Sequence, residues 1–391
     1  MKYRLSESVQ AVAPSATLAA TERARQLREQ GVNVISLAAG QPDFDTPQHI
    51  KDAACAALAA GDTKYPLPVS GVIPLRKAIQ AYIKRYCELD YAMDQLCVTV
   101  GCKDALHLAF VALLNPGDEA IVPVPYWVSY PDQIRMTGAK PVFVESSPLD
   151  GKITPAQLRS AITPRTRVLV MNSPSNPGGA VFSRAELTAL AEVLQGTDII
   201  VVSDEIYHRL AFEVDTAASV AAAPGMYERT VTVNGLGKSY AMTGWRIGYA
   251  GGPAPIIEAM TRLIGTTTSG ATSFVQTAAI TALTGPQENV ARMREAFVRR
   301  ARRMCDALRA IPGLKLPEPK GAFFCFPDVS ALYARLGVRD ADEFAHQALD
   351  RAHVAIVSGS AFGSQSHVRL SYATADDQIE EAMRRLTKWL A

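Results

Sequence analysis

Residues 232–253 read TVNGLGKSYAMTGWRIGYAGGP. The apolar, β-branched run RTVTVN (229–234) enters a glycine-rich loop, and a second run, RIGYAGG (246–252), leaves it. This predicts strand, loop and strand, with Lys238 and Arg246 eight residues apart around the loop. Similar runs stand upstream: LCVTV (96–100), EAIVPV (119–124), KPVFVE (140–145), RVLVMN (167–172) and DIIVVSD (198–204). Most are near-continuous in Val, Ile and Leu, as strands read when both faces are covered. Helical stretches such as CKDALHLAFVALL and RAELTALAEVLQ separate the earlier ones. Strands alternating with helices predict an α/β fold, a mostly parallel sheet in a three-layer domain.

The flanks read differently. ATLAATERARQLREQ suggests a helix that begins near Ser15 and stops at Gly31. After about residue 285, EAFVRRARRMCDALRA is a basic amphipathic helix. PKGAFFCFPDV, AHVAIVSG and HVRLSYA follow as a small sheet, and DQIEEAMRRLTKWLA closes the chain as a helix. The expected division is an N-terminal arm and small-domain segment (1–45), a large domain (46–285) and a small C-terminal domain (286–391). The arginines at 292–303 read as a solvated helix face.

The chain has 391 residues, 40 Lys and Arg against 38 Asp and Glu, and 48% hydrophobic residues. Near-neutral charge gives no electrostatic case for nucleic acid or an anionic membrane as the main partner. No apolar run reaches the 18 or so residues of a membrane span. The N-terminus carries Glu7 and Pro14, so no signal-peptide core is expected there. Cysteines at 55, 87, 97, 102, 305 and 325 form no Cys-x-x-Cys pair and read as reduced thiols, which predicts a cytoplasmic protein. No His-x-x-x-His pair suggests a metal.

In open parallel sheets, ligands bind at the carboxyl ends of the strands. LCVTV leads into Gly101, Cys102 and Lys103 at a helix start, where backbone amides suit a phosphate. Trp127 follows EAIVPV and can stack on a flat ring, while NSPSNPGG presents Asn172 and Asn176. Asp204 and Tyr207 follow DIIVV. GLGKS is no P-loop, because Thr232 stands where that motif needs glycine, and no early GxGxxG supports a dinucleotide. Each piece alone has a plain structural reading, Asp204 as a helix cap and Lys238 as a surface lysine. Together they describe one ligand, with a phosphate, a flat ring, a basic ring nitrogen, a phenolic oxygen and an aldehyde. That ligand is pyridoxal 5'-phosphate.

These strings, with LAAGQPDFDTP, TKYP, NPGDEAIVPVPYWVSYP and HVRLSYA, resemble the class I aminotransferases of pyridoxal-phosphate fold type I over almost the whole chain. The resemblance is strongest to the bacterial aspartate aminotransferase branch that also includes prephenate aminotransferases. It implies that Lys238 forms the Schiff base and Asp204 pairs with the ring nitrogen. Asn176 and Tyr207 would contact the phenolic oxygen, Trp127 would stack on the ring, and Arg246 with the amides near Cys102 and Lys103 would hold the phosphate. Tyr65 would reach the phosphate of a neighbouring subunit, which implies a homodimer with shared sites. Arg369 would bind the substrate α-carboxylate, with the Gly40 backbone nearby.

Substrates by resemblance are an amino acid and a 2-oxo acid, with 2-oxoglutarate as acceptor in a ping-pong reaction. A dicarboxylate needs a second cation, and GTTTSGATSFVQ (265–276) carries none. Lys103 is the cation left to read it, so aspartate is the expected donor, with aromatic amino acids as the nearest rivals. Three positions depart from the family: Gly178 for the usual Thr, Gly237 for Ser or Ala, and Ala13, where prephenate-using relatives carry a basic residue. The last counts against prephenate. A fold type I lyase or decarboxylase could share the cofactor residues. A cofactor-sensing regulator would need a DNA-binding module, for which the N-terminal segment leaves no length.

Overall fold

The computed structural model describes residues 3–10, 12 and 16–391. A helix occupies Ala16–Glu29, and Ala13, Pro14 and Ser15 lie outside the described residues. Gly31 stops this helix in the left-handed region, at φ 84°. Its N–H donates to the Arg28 carbonyl, and the Val32 N–H donates to that of Leu27.

All seven long apolar runs form one sheet, in the order Leu96–Thr99, Gly248–Gly251, Thr230–Gly235, Ile200–Asp204, Thr166–Asn172, Glu119–Val124 and Lys140–Glu145. Gly248–Gly251 runs antiparallel to both neighbours, and every other pairing is parallel. The loop before it is too short for a crossover helix, so the chain can only turn back. The sequence KPVFVE, with a charge at each end and a proline, takes the edge, as strand proline usually does.

Helices cover both faces. Val122, Val170, Val202 and Val233 pack under Cys102–Leu113 and Ala254–Thr267, and Leu169, Met171 and Val201 pack under Arg184–Leu194. Gly235 and Gly248 let the Cys102 helix start directly against the sheet. A Cβ on Gly235 would lie 2.8 Å from the Cys102 sulfur, and one on Gly248 would lie 2.6 Å from the Gly101 carbonyl carbon.

A second core gathers Phe297, Met304, Phe323, Phe324, Phe344, Ile379 and Leu386. The three C-terminal apolar runs form short strands, Val357–Ser358, Val368–Ser371 and Phe324–Cys325, paired antiparallel in that order. Ile35 pairs in parallel with Val354, a strand that the N-terminal composition did not announce. Leu37 from that segment and Ile206, Tyr207 and Leu210 from the loop after Asp204 enter the same core. Among the described residues, no helix is long and apolar enough to cross a membrane.

The arginine run does not behave as a solvated face throughout. Within the helix Glu288–Arg309, Arg300 is buried. It grips Asp43 through both terminal nitrogens, at 2.8 and 3.0 Å, and approaches Asp376 at 3.4 Å. Phe44 and Phe297 lie under its guanidinium. Charge patterning along one helix could not show a partner 257 residues away. Arg300→Leu is expected to cost about 2–3 kcal/mol, below the 3–5 of a fully buried pair because Asp43 is partly exposed. Urea denaturation checks this, and an unchanged midpoint would refute a structural role for the pair.

Candidate active site

The carboxyl ends of the parallel strands open into a cavity of about 780 Å³. Gly40, Cys102, Lys103, Trp127, Asn176, Asp204, Tyr207, Lys238, Arg246 and Arg369 all line it. Tyr65 does not. It lies on the surface, 80% exposed, two residues from Leu67, which is 75% exposed.

Strand register explains much of the assembly. Asn172 and Asp204 are partners across adjacent strands, and Asp204 faces Val233 on the next, from which the chain leads to Lys238. The antiparallel strand begins at the same edge, so Arg246 arrives beside Gly101. Arg246 has a left-handed φ of 54°, and its guanidinium donates to the Thr243 and Val100 carbonyls. The helix Cys102–Leu113 starts next to it with no side-chain cap, which leaves first-turn N–H groups directed at the cavity.

Asp204 is buried. Its Oδ2 accepts from the Tyr130 hydroxyl at 2.7 Å and its Oδ1 from the Ile206 N–H at 3.2 Å, yet burial still raises its pKa to about 6. Burial likewise lowers the Lys238 amine to about 8, and its Nζ donates to the Gly40 carbonyl. Arg369 comes from the other core, on Val368–Ser371. It donates to Asn176 Oδ1 and the Ala38 carbonyl, both at 3.0 Å, between the rings of Phe324 and Phe362. Its Nε has no partner, no carboxylate of the described residues ion-pairs with it, and burial lowers its pKa to about 10. Lys103 Nζ stands 4.9 Å from the Trp127 ring centroid; burial, then Arg246, lowers its pKa.

Sequence reading missed Tyr130, which fixes the Asp204 carboxylate. The available signal was its spacing of three from Trp127, across the turn that opens the helix Ser129–Met136, and the two rings do meet edge to face at 5.3 Å. It also missed Gln133, whose amide donates to the Lys103 carbonyl. The departures at Gly178 and Gly237 are not forced by space: an added Cβ would find nothing nearer than 3.9 and 3.7 Å.

A buried carboxylate without a cation, an amine made partly neutral by burial, and an uncapped helix start beside an arginine suit three parts of pyridoxal phosphate: its ring nitrogen, aldehyde and phosphate. The fold and this donor set define the fold type I class of pyridoxal-phosphate enzymes. Within it, the chain belongs to the aminotransferases of class I and II, whose family model matches residues 32–386. It is 47% identical to an aspartate aminotransferase of Geobacillus stearothermophilus, over 99% of both chains. It is 45% identical to an aspartate/prephenate aminotransferase of Cereibacter sphaeroides, over 99% of this chain and 98% of that one. Among solved structures, the aspartate aminotransferase of Thermus thermophilus with maleate superimposes with a TM-score of 0.93 at 43% identity, covering 99% of this chain and all of that one. The protein is an aminotransferase, and its cofactor is pyridoxal phosphate.

Gly101 is the position where backbone and arginine leave no room. A Cβ there would lie 2.6 Å from an Arg246 terminal nitrogen, at a φ of 82°. Gly101→Ala is expected to weaken cofactor affinity roughly 10- to 100-fold, the worth of one displaced charge-assisted hydrogen bond. Cofactor retention on dilution, followed by its absorbance, checks this.

Proposed function

We propose that the chain transfers the amino group of L-aspartate to 2-oxoglutarate by a ping-pong reaction, in a homodimer. The observation that carries the substrate half is Arg369, a buried guanidinium with an unpartnered Nε and no carboxylate, lining the same cavity as Lys238. A buried cation of this kind is costly unless a ligand completes it. An α-carboxylate matches its planar fork.

When bound, pyridoxal phosphate supplies an aldehyde and a ring that draws off negative charge from the substrate Cα. Lys238 is placed to hold that aldehyde and, once released, to move the Cα proton. An amine with a pKa near 8 is suited to both. Asp204, steadied by Tyr130, holds a proton at the ring nitrogen. Arg369 occupies the oxygen of the Asn176 amide, which leaves Nδ2 as the donor toward the phenolic oxygen, beside the Tyr207 hydroxyl. Trp127 would cover the ring, and Arg246 with the Cys102 and Lys103 N–H groups would hold the phosphate.

Lys103 is the residue that favours aspartate. Among the described residues it forms no ion pair, it lines the cavity, and 265–276 contain no arginine. Relatives named for aspartate support this reading. Others named for aspartate and prephenate, at 43–45% identity, support prephenate, itself a 2-oxo acid, as a second amino acceptor. Against it stands Ala13, outside the described residues.

Tyr65 and Leu67, exposed together, suit a surface covered by a second subunit, with Tyr65 reaching the neighbouring cofactor phosphate. The division at 45 and 285 is supported by the Ile35–Val354 pairing and the separate C-terminal core. Six unpaired thiols support a reducing, cytoplasmic location.

Arg369→Lys is expected to lower kcat/KM for every amino donor at least 100-fold, because an ammonium cannot form the two parallel bonds. Full efficiency in this variant would remove the α-carboxylate assignment. Lys103→Val, in contrast, is expected to cost aspartate roughly 30- to 150-fold while sparing phenylalanine, the loss of one charge-assisted bond. The deciding quantity is the ratio of the two efficiencies. A parallel fall would leave Lys103 as a phosphate-site residue alone.

A further inference from the structure

Thr46 stands before Pro47 and the helix Gln48–Ala59, and threonine then proline ahead of a helix is the usual arrangement of a cap and a first residue. This helix nevertheless has no side-chain cap. The Thr46 hydroxyl is engaged elsewhere. It donates to the Ala241 carbonyl at 2.7 Å and accepts from the Trp245 indole N–H at 3.0 Å. Both partners belong to the loop that carries Lys238, 195 and 199 residues further along the chain, and Thr46 itself is buried.

That loop needs a directional hold. Its turn closes on the lysine, since the Ala241 N–H donates to the Lys238 carbonyl at 3.3 Å. Ala241 is left-handed, at φ 52°, a conformation that a residue with a Cβ keeps only when its surroundings impose it. Leu236, Tyr240 and Met242 pin the loop by apolar packing, which is non-directional and does not set how the Ala241 peptide is turned. A hydrogen bond to its carbonyl does. The segment around Thr46 meets the loop at two further points: Lys238 Nζ reaches the Gly40 carbonyl, and the Thr243 hydroxyl donates to the Gln41 amide oxygen at 3.2 Å. Between them Asp43 is held by Arg300. The strip from Gly40 to Thr46 therefore lies along the loop, with the lysine amine at one end and the threonine hydroxyl at the other.

We propose that Thr46 is a positioning residue for Lys238: its hydroxyl, oriented by the Trp245 indole, holds the Ala241 carbonyl and so fixes the turn from which the lysine enters the cavity. Without that bond Ala241 relaxes out of the left-handed region, and the turn that begins at the Lys238 carbonyl relaxes with it. Thr46 touches neither substrate nor cofactor and acts through the backbone alone. The idea rests on Lys238 being the lysine that holds the cofactor and moves the Cα proton.

The test compares the holoenzyme with Thr46→Val, which keeps the shape and removes the hydroxyl, and with Thr46→Ser, which keeps the hydroxyl. In Thr46→Val, kcat and kcat/KM should fall together, roughly 10- to 100-fold, the order that a small misplacement of a reacting group costs. The primary isotope effect of Cα-deuterated L-aspartate on kcat should grow, because proton movement by a displaced lysine becomes the slower step. Hydrogen exchange of the backbone amides between 236 and 247, read by mass spectrometry, should quicken. Thr46→Ser should restore all three. An unchanged kcat, isotope effect or exchange in Thr46→Val, or a Thr46→Ser variant as impaired as Thr46→Val, would overturn the proposal. Thr46→Ala replaces Thr46→Val if the latter does not accumulate as folded holoenzyme, and failure of both would make Thr46 a stability residue and overturn the proposal as well. Borohydride reduction with peptide mapping separates the two ideas. Label on another lysine removes the reading of Lys238, whereas label on Lys238 with an unchanged kcat in Thr46→Val removes the role of Thr46 alone.

Discussion

Asp204 and Arg369 are buried charged side chains and Lys238 a half-buried one in the same cavity, and none of them forms an ion pair with another. Burial shifts all three toward their neutral forms, the acid up to about 6, the amine down to about 8 and the guanidinium down to about 10. Keeping such groups apart costs stability, because mutual pairing would relieve the desolvation. Neutral dipoles offset part of that cost: the Tyr130 hydroxyl and Ile206 N–H at Asp204, the Gly40 carbonyl at Lys238, and the Ala38 carbonyl with the Asn176 amide at Arg369. Each group is therefore held in place with its charge still available to a ligand.

The separation depends on elements that cannot easily drift. Asp204 ends a central strand with partners on both sides, whereas Arg369 belongs to a short antiparallel sheet in a different core. Tyr207 joins the two, three residues from Asp204 but packed edge-on against Phe323 and Phe324. Arg300 closes the same seam from behind by holding Asp43, a few residues beyond Gly40. The segment that bears the Gly40 carbonyl and the strand that bears Arg369 are thus anchored by one buried aromatic cluster and the Arg300–Asp43 ion pair.

Glycines at three points set the end of the cavity where the helix Cys102–Leu113 starts. Gly235 and Gly248 allow a helix start to sit on the sheet, and Gly101 allows a guanidinium to lie against that start. Gly178 and Gly237 have space around them, so their backbone freedom is not a packing requirement. The first group reads in the sequence simply as glycine-rich punctuation, with no mark of which neighbours it admits.

The sequence by itself determined the seven apolar runs and their α/β arrangement, because strands buried on both faces must be apolar along their length. It also determined where to search, since every candidate except Arg369, Gly40 and Tyr65 lies at or just beyond a strand end or a strand-associated loop of the large sheet. Tertiary structure alone decided which distant segments meet. Strand register set Asn172 beside Asp204, the reversed strand brought Arg246 to Gly101, and the separate core delivered Arg369 to Asn176, 193 residues away. Tyr130 under Asp204 and the burial of Arg300 were equally invisible in the chain. The physical reason is common to all of them: periodicity records which face of an element is buried, whereas a hydrogen-bond partner or a desolvated charge depends on what the fold packs against that face.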